Sequence, residues 1–389
     1  MALSASALEP LLRLAVVPGI GPARLATLLE RFGSADRVLA ASREEIATLP
    51  GFGTGLVGLV RAAAEAPGLQ RARTALDTLR RCHAVAITPD DLDYPETLQR
   101  LADPPFLLYS TGRLELLKRP AVAIVGTRNP TPYGRSTAAA LGRDLARAGY
   151  VIVSGMAKGI DAAAQAAALE VDGGTIGVLG HGVEQVYPAE NRALFREVAE
   201  RGLLITEFAP GERLSPGNFP RRNRIIAALG LVVVVVEMSV RSGAQHTVTA
   251  ALDLGHDVFA VPGPIGSLTS EGTNQLIKEG ARVLTSVDDI LEELQGVGRS
   301  AAAAPPAPKK RSVPAPPHGS EAPAAPAALP EDLSPDEKRL LSTLGDGPRH
   351  VDELTAAAGL SPAQVLSTLL GLELRGLVEA LPGKNFRRA

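Results

Sequence analysis

Three short segments of the chain place cationic side chains beside glycine, proline or asparagine, at the end of a predicted strand or the start of a predicted helix. An arginine guanidinium holds a phosphate with two parallel hydrogen bonds, and a backbone that contains glycine lets a ligand approach closely. The residues with this chemistry are Gly126, Thr127, Arg128, Gly155, Lys158, Phe219, Arg221, Arg222, Asn223 and Arg224. Together they predict a surface that binds a polyanion through its phosphates.

Arg128, the arginine of the first segment, closely follows the predicted strand 121–125. We expect its guanidinium, the backbone N–H groups beside it and the dipole of the helix that starts near Tyr133 to meet at one phosphate. The alternative for Arg128 is a salt bridge with a carboxylate at a strand end. Lys158 is predicted either to bind the ligand or to be solvated. Phe219 is predicted either to stack on a base or to pack in the core.

The arginine cluster and a later helix start complete the predicted surface. Because consecutive residues of a helix point in different directions, Arg221, Arg222 and Arg224 cannot all face one ligand. We expect Arg221 or Arg222 to face it. Asn223 or Arg224 then holds the loops together. Asp161 begins a helix and is predicted to cap it rather than to act as an acid. Neutral donors at the start of another helix add to the surface, at Ser242, Gly243 and Thr247.

Short β-branched runs that alternate with alanine-rich stretches predict the elements that position these side chains. The predicted strands are 84–87, 106–109, 121–125, 151–153, 175–179, 203–207, 231–237, 258–261 and 282–285. Continuous apolar strands separated by helices are typical of a parallel sheet with helices on both faces. Residues 83–294 are therefore predicted to form an α/β core with a Rossmann-like parallel sheet. Its binding crevice should lie at the carboxyl ends of the strands.

Residues 1–80 are predicted to be helical and contain two glycine turns, 17–22 and 49–53. Each turn has an apolar residue between glycines just before a helix. This pattern resembles the tandem helix-hairpin-helix, or SAM-like, domain. In such domains the turn presents backbone N–H groups at a helix start, where they can hold a DNA phosphate without reading bases. The alternative is a helical packing domain in which the glycines only make turns.

The remainder of the chain is predicted to be a linker and a second small domain. Residues 295–332 are rich in proline and alanine, which predicts a semi-rigid disordered linker. Residues 333–389 contain three amphipathic segments followed by a short β wing, and the segments are 334–344, 351–358 and 361–375. This arrangement resembles a winged-helix domain, which binds either DNA or a protein.

The composition of the 389 residues limits the possible functions. A net charge of −2 and a pI near 6.4 mean that any nucleic-acid binding comes from a local patch. A single cysteine, Cys82, and scattered histidines offer no disulfide framework and no zinc-ligand spacing, so neither a metal nor another cofactor is predicted. The N-terminus lacks the features of a signal peptide, and the longest apolar run, 225–236, is too short to cross a membrane. A soluble cytoplasmic protein without a membrane partner is therefore expected.

Seven ordered strings within residues 126–281 carry a resemblance to a known family. They are GTRNPTPYG, SGMAKGID, VYPAEN, FPRRNRIIA, SGAQHT, VFAVPG and GTNQLIKEGA. The chain resembles the DNA-processing protein A family, also called DprA or Smf. The resemblance implies a homodimer that binds and protects incoming single-stranded DNA and loads the RecA recombinase in natural transformation and recombination, without catalysis. It also implies a dimer or recombinase contact near the last strand, at Asn274, Leu276 and Ile277.

Two other functions remain open from the sequence. The chain could be an enzyme similar to the LOG proteins, which cleave nucleoside monophosphates with a PGGxGTxxE loop. When that loop is laid over residues 242–247, its glutamate falls at Ala250, which cannot act as an acid or a base. The other possibility is a protein-interaction scaffold that binds no DNA, in which the basic residues serve the structure.

Overall fold

The apolar runs form one sheet of nine strands in the computed structural model of the chain. From one edge to the other, the strand order is β1-β2-β6-β5-β4-β3-β7-β8-β9. Each strand overlaps one of the nine predicted from the sequence. Their bounds are β1 (Val85–Ile87), β2 (Leu108–Gly112), β3 (Ala121–Val125), β4 (Val151–Ser154), β5 (Thr175–Val178), β6 (Leu203–Thr206), β7 (Val232–Val235), β8 (Asp257–Ala260) and β9 (Arg282–Val283).

The structure describes residues 5–212, 214–300, 334–344, 349–358 and, within 360–388, all but 362, 363, 366, 370, 371, 373, 374, 376 and 382–384. The N-terminal helices are α1 (Ala5–Ala15), α2 (Pro22–Phe32), α3 (Ala35–Ala40), α4 (Arg43–Ala47), α5 (Thr54–Ala63) and α6 (Ala66–Arg81). The helices between and after the strands are α7 (Glu96–Gln99), α8 (Pro132–Arg147), α9 (Ile160–Glu170), α10 (Arg192–Arg201), α11 (Asn218–Leu229), α12 (Gln245–Asp253), α13 (Glu271–Lys278) and α14 (Val287–Ser300). Within these described ranges, no helix combines the length and the apolar character needed to cross a membrane.

The sheet is parallel from β6 to β9 but antiparallel at its other edge. Strand β2 pairs with both β1 and β6 in the antiparallel sense. The predicted parallel sheet is therefore present from β6 to β9, and its edge at β1 and β2 differs from the prediction. If β1 and β2 were adjacent and parallel, a long crossover, usually a helix, would have to join them. The segment between them instead contains one α-helix, α7, of only four residues.

Alternate residues of the central strands face two different layers of helices. Ala121, Ala123 and Val125 of β3 belong to a core that includes residues of α11 and α12. Val122 and Ile124 belong to a second core with residues of α8, α9 and α14. Because both faces of the sheet are covered, each central strand is apolar throughout.

The neighbouring strands β3 and β7 lead the chain towards opposite edges of the sheet. After β3 the chain forms α8 and then β4, whereas after β7 it forms α12 and then β8. The loops that follow these two strands therefore diverge, and this leaves room for a crevice at their carboxyl ends.

The N-terminal helices pack around a core that continues into the antiparallel edge of the sheet. Ile20 and Phe52, the apolar residues of the two glycine turns, are buried in it, as is Tyr109 of β2. Helix α2 begins directly after the first turn and α5 directly after the second. Both turn-and-helix units predicted from the sequence are therefore present.

The chain divides into two units, Met1–Pro306 and Ala307–Ala389. The second contains α15 (Pro335–Thr343), α16 (Val351–Ala358), β10 (Arg349–His350), β11 (Val378–Leu381) and β12 (Asn385–Arg388), with the sheet order β10-β12-β11. The predicted helices 334–344 and 351–358 are present, whereas the predicted helix 361–375 lies partly outside the described residues. Helix α14 continues past residue 295, where the linker is predicted to begin, and the rest of that linker lies outside the described residues. The domain boundaries stay predictions.

Candidate functional site

The loops that follow β3, β4 and β7 enclose a crevice at the carboxyl ends of these strands. It consists of two adjoining cavities of about 510 Å³ and 340 Å³. The residues that line both cavities are Arg128, Ala157, Tyr187, Phe219 and Arg222. The other predicted site residues in its walls are Gly126, Gly155, Lys158, Asn223, Ser242, Gly243 and Thr247. The crevice thus brings together all of the residues predicted to bind the polyanion except Thr127, Arg221 and Arg224.

Arg128 and Lys158 are exposed cations in the wall of the smaller cavity. The guanidinium carbon of Arg128 lies 5.3 Å from the centroid of the Phe219 ring, which is a cation–π contact. Glu190 also lines this cavity, but among the described residues neither cation forms an ion pair with a carboxylate. The salt bridge considered for Arg128 is therefore absent there, and both charges are available to an anion.

A protein carboxylate occupies the start of helix α8, where the sequence predicts a bound phosphate. Glu237 is 3% exposed, and its two carboxylate oxygens accept hydrogen bonds from Thr131, at 2.5 Å from Oγ1 and 2.9 Å from the backbone N. Thr131 caps the helix by accepting from the Gly134 amide, and the Thr127 amide donates to the Glu237 carbonyl oxygen at 2.7 Å. Thr131 and Glu237 thus use the amides of Thr127, Thr131 and Gly134, and the predicted meeting of the helix dipole and the remaining amides at a phosphate beside Arg128 stays a prediction.

Glycine is required at position 134 because Glu237 packs against it. A Cβ atom on Gly134 would lie 2.3 Å from the carboxylate carbon of Glu237. The sequence analysis did not single out Glu237. The sequence does contain a feature that points to Glu237. This charged residue directly follows the apolar run 231–236 and must therefore lie at the carboxyl end of that strand.

Arg222 lines the floor of the crevice, and the protein binds its Nε and Nη1 donors. The residue is 4% exposed, and Nη1 donates to the carbonyl oxygens of Gly155, at 2.7 Å, and of Val178. A Cβ atom on Gly155 would lie 2.5 Å from Nη2, so glycine is needed where the guanidinium packs on the backbone. Because Arg222 lines both cavities, the expectation that Arg221 or Arg222 faces the ligand stays a prediction. Burial lowers the pKa of Arg222 to about 10, so its positive charge remains beneath the crevice at neutral pH.

Asp161 is buried at the start of α9 and bonds to the loop that precedes the helix. Its Oδ2 accepts hydrogen bonds from the amides of Gly155, at 3.1 Å, and Ala157, at 3.4 Å. The residue before α9 is Gly159, so the prediction that Asp161 caps this helix is wrong. Burial raises the pKa of Asp161, and the Arg222 charge and the two amides oppose that rise. No group of three His, Cys, Asp or Glu side chains in the described part of the chain is arranged to hold a metal ion.

The other two arginines of the cluster, Arg221 and Arg224, do not line the crevice. Arg224 donates from Nε to Asp103 and from Nη2 to Glu207, at 2.8 Å each, and so joins α11 to the loops around it. Arg221 is exposed, and its guanidinium carbon lies 5.2 Å from the centroid of the Phe208 ring. Arg221 lines neither cavity of the crevice.

The start of helix α12 is tied to α11 across the crevice. Asn223 donates from Nδ2 to the carbonyl oxygen of Gly243 at 3.1 Å, and the Ser242 hydroxyl accepts from the amide of Ala244 at 3.3 Å. Thr247 is 1% exposed although it lines the larger cavity. The neutral donors predicted here therefore shape the wall, and Ser242 and Gly243 remain accessible in it.

Tyr187 is a crevice residue that the sequence analysis did not select. Its side chain is 40% exposed, and its ring centroid lies 5.6 Å from that of Phe219 with the planes tilted by 39°. Phe219 packs on Gly180, where a Cβ atom would lie 2.9 Å from the ring. The two rings and Arg128 form an aromatic ledge along the crevice. The tyrosine of the VYPAEN string is the sequence feature by which this residue could have been found.

The residues assigned to a partner contact by resemblance are largely used inside the protein. Leu276 is 4% exposed and belongs to the core beneath the sheet, and Ile277 is half-buried against the same core. Asn274 exchanges two hydrogen bonds with the backbone of Gly263, at 3.2 and 3.0 Å. Asn274 and Leu276 thus help to hold α13 in place, and the partner contact expected at Asn274, Leu276 and Ile277 stays a prediction.

Three parts of the chain match known sequence families. Residues 85–295 match the family described as DNA recombination-mediator protein A. Residues 322–384 match the DprA winged helix domain, and residues 11–65 match the SAM-like helix-hairpin-helix tandem. The matches agree with the three kinds of domain predicted from the sequence.

Individual relatives cover most of the chain. Protein Smf of Synechocystis sp. is 33% identical over 386 residues, which is 96% of each chain. The crystal structure of DNA processing protein A (DprA) from Streptococcus pneumoniae is similar with a TM-score of 0.64 and 32% identity, over 75% of this chain and 99% of that one. A DNA processing protein A structure from Helicobacter pylori, which concerns its single-stranded DNA binding mode, has a TM-score of 0.50 and 33% identity, over 55% of this chain and 96% of that one.

Proposed function

Because the chain belongs to the DNA recombination-mediator protein A family, we propose that it binds single-stranded DNA in the crevice at the carboxyl ends of β3, β4 and β7. The observation that carries this proposal is the pair of exposed cations, Arg128 and Lys158, beside the aromatic ledge. Phosphate oxygens of the strand bind the two cations. This contact reads no base, so the affinity is largely independent of the DNA sequence. The affinity falls as the salt concentration rises, because salt cations compete with the protein for the phosphates.

The aromatic ledge favours an unpaired strand over a duplex. Tyr187 and Phe219 offer ring surface in a crevice whose cavities measure about 510 and 340 Å³. A base must leave its stack to lie on such a surface. This costs little in a single strand, whereas in a duplex it also breaks a base pair and costs about 2–4 kcal/mol per base. We therefore infer that single strands compete effectively against duplex of the same sequence.

The nucleotide-processing alternative has less support. Ala250, the position of the catalytic glutamate in the LOG loop, has no group that could move a proton. Asp161 at the crevice and Glu237 beside it are buried carboxylates that already accept hydrogen bonds from the protein. We therefore propose a binding protein without catalysis. Release of a base or a ribose phosphate from nucleoside monophosphates would contradict that part of the proposal.

The test is the substitution Arg128→Ala in the full chain, with binding of a labelled single strand measured over a series of salt concentrations. We expect the affinity to fall about tenfold, because one charge-assisted contact to phosphate is lost. The slope of log affinity against log salt should become shallower by about 0.7. The thermal midpoint should stay close to that of the unchanged protein, since Arg128 is exposed.

The matched control is Arg147→Ala, which removes the same charge from the opposite end of helix α8, about 20 Å away. Its affinity and salt slope should equal those of the unchanged protein. If Arg128→Ala binds as well as Arg147→Ala, the crevice is not the binding site. If the unchanged protein shifts no labelled oligonucleotide even at low salt, the interaction-scaffold alternative replaces DNA binding.

We further propose that the protein acts in the cytoplasm as a homodimer that protects single strands and helps to load the RecA recombinase on them during natural transformation. Family membership supports this step, and the partner surface is left open because Asn274 and Leu276 are used internally.

Adding the protein should speed formation of RecA filaments on a single strand, measured as RecA-dependent ATP hydrolysis. Arg128→Ala should lose most of this effect. A monomer in sedimentation equilibrium would contradict the dimer.

A further inference from the structure

His246 lies in the wall of the larger cavity, in the part that helix α12 forms. It is exposed and belongs to the SGAQHT string. The next two residues, Thr247 and Val248, are buried and anchor the helix in the protein. Asn223 of α11 also holds the start of α12, through its hydrogen bond to Gly243. The histidine ring therefore reaches the cavity from a fixed piece of backbone.

The ring nitrogens of His246 are free, in contrast to those of two other histidines of the α/β core. Nδ1 of His181 lies 3.0 Å from the carbonyl oxygen of Gly182, and Nδ1 of His256 lies 3.1 Å from that of Ala227. Among the described residues, the His246 ring has neither a hydrogen bond nor an ion pair within the protein. Its nitrogens are therefore available to a ligand in the cavity.

The charged groups around the larger cavity leave a place for a further cation at its α12 wall. The other titratable or charged residues that line it are Arg128, Asp161, Tyr187 and Arg222. Those on α12, just before it and on the elements that pack on it do not line this cavity, and they are Arg241, Asp253, Arg221, Arg224, Glu237 and Asp257. Asp161 is bonded to the loop after β4, so no free carboxylate among these lining residues competes with a phosphate.

Protonation converts the ring of His246 from a neutral donor into a cation. Histidine ordinarily changes its charge between about pH 5 and 8, and the protonated ring carries an N–H donor on both nitrogens. A phosphate oxygen bonds to a charged donor more strongly than to a neutral one. A bound phosphate therefore favours the protonated ring. It follows by linkage that binding takes up a proton and that the affinity rises as the pH falls through this range.

We propose that His246 is a further phosphate-binding residue of the crevice and that its protonation strengthens the binding of single-stranded DNA in mildly acidic solution. The inference rests on the proposed function of the crevice. Arg128 and Phe219 line both cavities, whereas Lys158 lines only the smaller one. A strand held at Arg128 and Lys158 therefore enters the larger cavity past Phe219, and a following phosphate binds His246.

The experiment measures the binding of a labelled oligothymidine to the full chain at about pH 8 and about pH 5.5, over a series of salt concentrations. Thymine does not change its charge in this range. For the unchanged protein we expect an affinity about tenfold higher at the lower pH and a salt slope steeper by about 0.7, which corresponds to one more phosphate contact.

Two substitutions at position 246 assign this effect. His246→Asn should match the unchanged protein at about pH 8 and lose both the gain in affinity and the steeper slope at about pH 5.5. His246→Lys carries its charge at both pH values. It should therefore bind at about pH 8 with the affinity and the slope that the unchanged protein reaches only in acid.

The matched control is His83→Asn. His83 is exposed and precedes β1, and β1 runs parallel to β6 because both are antiparallel to β2. His83 therefore lies at the amino ends of the parallel strands, whereas the crevice lies at their carboxyl ends. Its φ of +48° is one that asparagine tolerates. This control should keep the full pH dependence of the unchanged protein.

Each other outcome overturns the inference. If His246→Asn keeps the pH dependence, another group carries it, such as Asp161, whose pKa is raised by burial. Equal weakening of His246→Asn at both pH values would mean that the neutral ring contacts the strand or shapes the wall. Should that variant be less stable, His246→Lys still decides, because failure to raise the affinity at about pH 8 contradicts a phosphate at this position.

The unchanged protein separates the inference from the proposed function. If its affinity is the same at both pH values while Arg128→Ala weakens binding at each, His246 contacts no phosphate and the crevice proposal stands. If it binds no oligothymidine at either pH, the proposed function fails and the inference fails with it.

Discussion

We expect the replacement of Arg222 by methionine to lower the free energy of unfolding by about 3–5 kcal/mol, because it removes one partner of a buried polar network. Methionine has a similar length but no donors, so the carbonyl oxygens of Gly155 and Val178 lose a hydrogen bond in a buried position. Asp161 also loses the nearby positive charge that favours its ionised form. The crevice then loses both the fixed loop after β4 and the charge beneath it.

The measurement for Arg222→Met is urea unfolding followed by circular dichroism, with the midpoint and slope compared with those of the unchanged protein. The neighbouring Arg221→Met is the matched control, because Arg221 is exposed and forms no ion pair among the described residues. It should change the free energy of unfolding by less than about 0.5 kcal/mol. Equal midpoints for Arg222→Met and Arg221→Met would show that the buried guanidinium contributes nothing to stability.

The strands of the core could be predicted from the sequence because burial on both faces makes each run apolar. The run 231–236, for example, contains no polar residue and becomes β7 with all four residues buried. The direction of β1 and β2 could not be predicted in this way. Apolar composition reports burial, whereas strand direction depends on where the connecting chain returns, and that is set by pairing between residues about 90 positions apart, such as Gly112 and Leu203.

The site was predictable in its location and less so in its hydrogen bonding. The topology rule places Arg128 and Lys158 at the same edge of the sheet, because both closely follow neighbouring parallel strands. The sequence does not reveal which donors the protein itself uses. Arg222 has the same residue type and setting as Arg221, yet a rotation of about 100° along α11 turns one into the protein and the other outward. Glu237 and Thr131 meet across 106 positions of sequence.

We expect the replacement of Tyr187 by alanine to weaken single-strand binding by about ten- to a hundredfold, because a base would lose the exposed ring of the aromatic ledge. Tyr187 is 40% exposed, so the loss of affinity should come with little loss of stability. Tyr187→Phe keeps the ring and should bind nearly as well as the unchanged protein. Tyr133→Ala is the matched control, because this tyrosine is 51% exposed and lines a different cavity, beside Glu237.

The salt dependence separates the role of Tyr187 from that of Arg128. A neutral ring releases no counterion when it meets a base, so Tyr187→Ala should lower the affinity at every salt concentration and leave the slope unchanged. Arg128→Ala should make the slope shallower. Fluorescence anisotropy of a labelled single strand measures both quantities in one titration series. A shallower slope for Tyr187→Ala, or an equal loss for Tyr133→Ala, would mean that the ledge does not stack bases and that phosphate contacts alone hold the strand in the crevice.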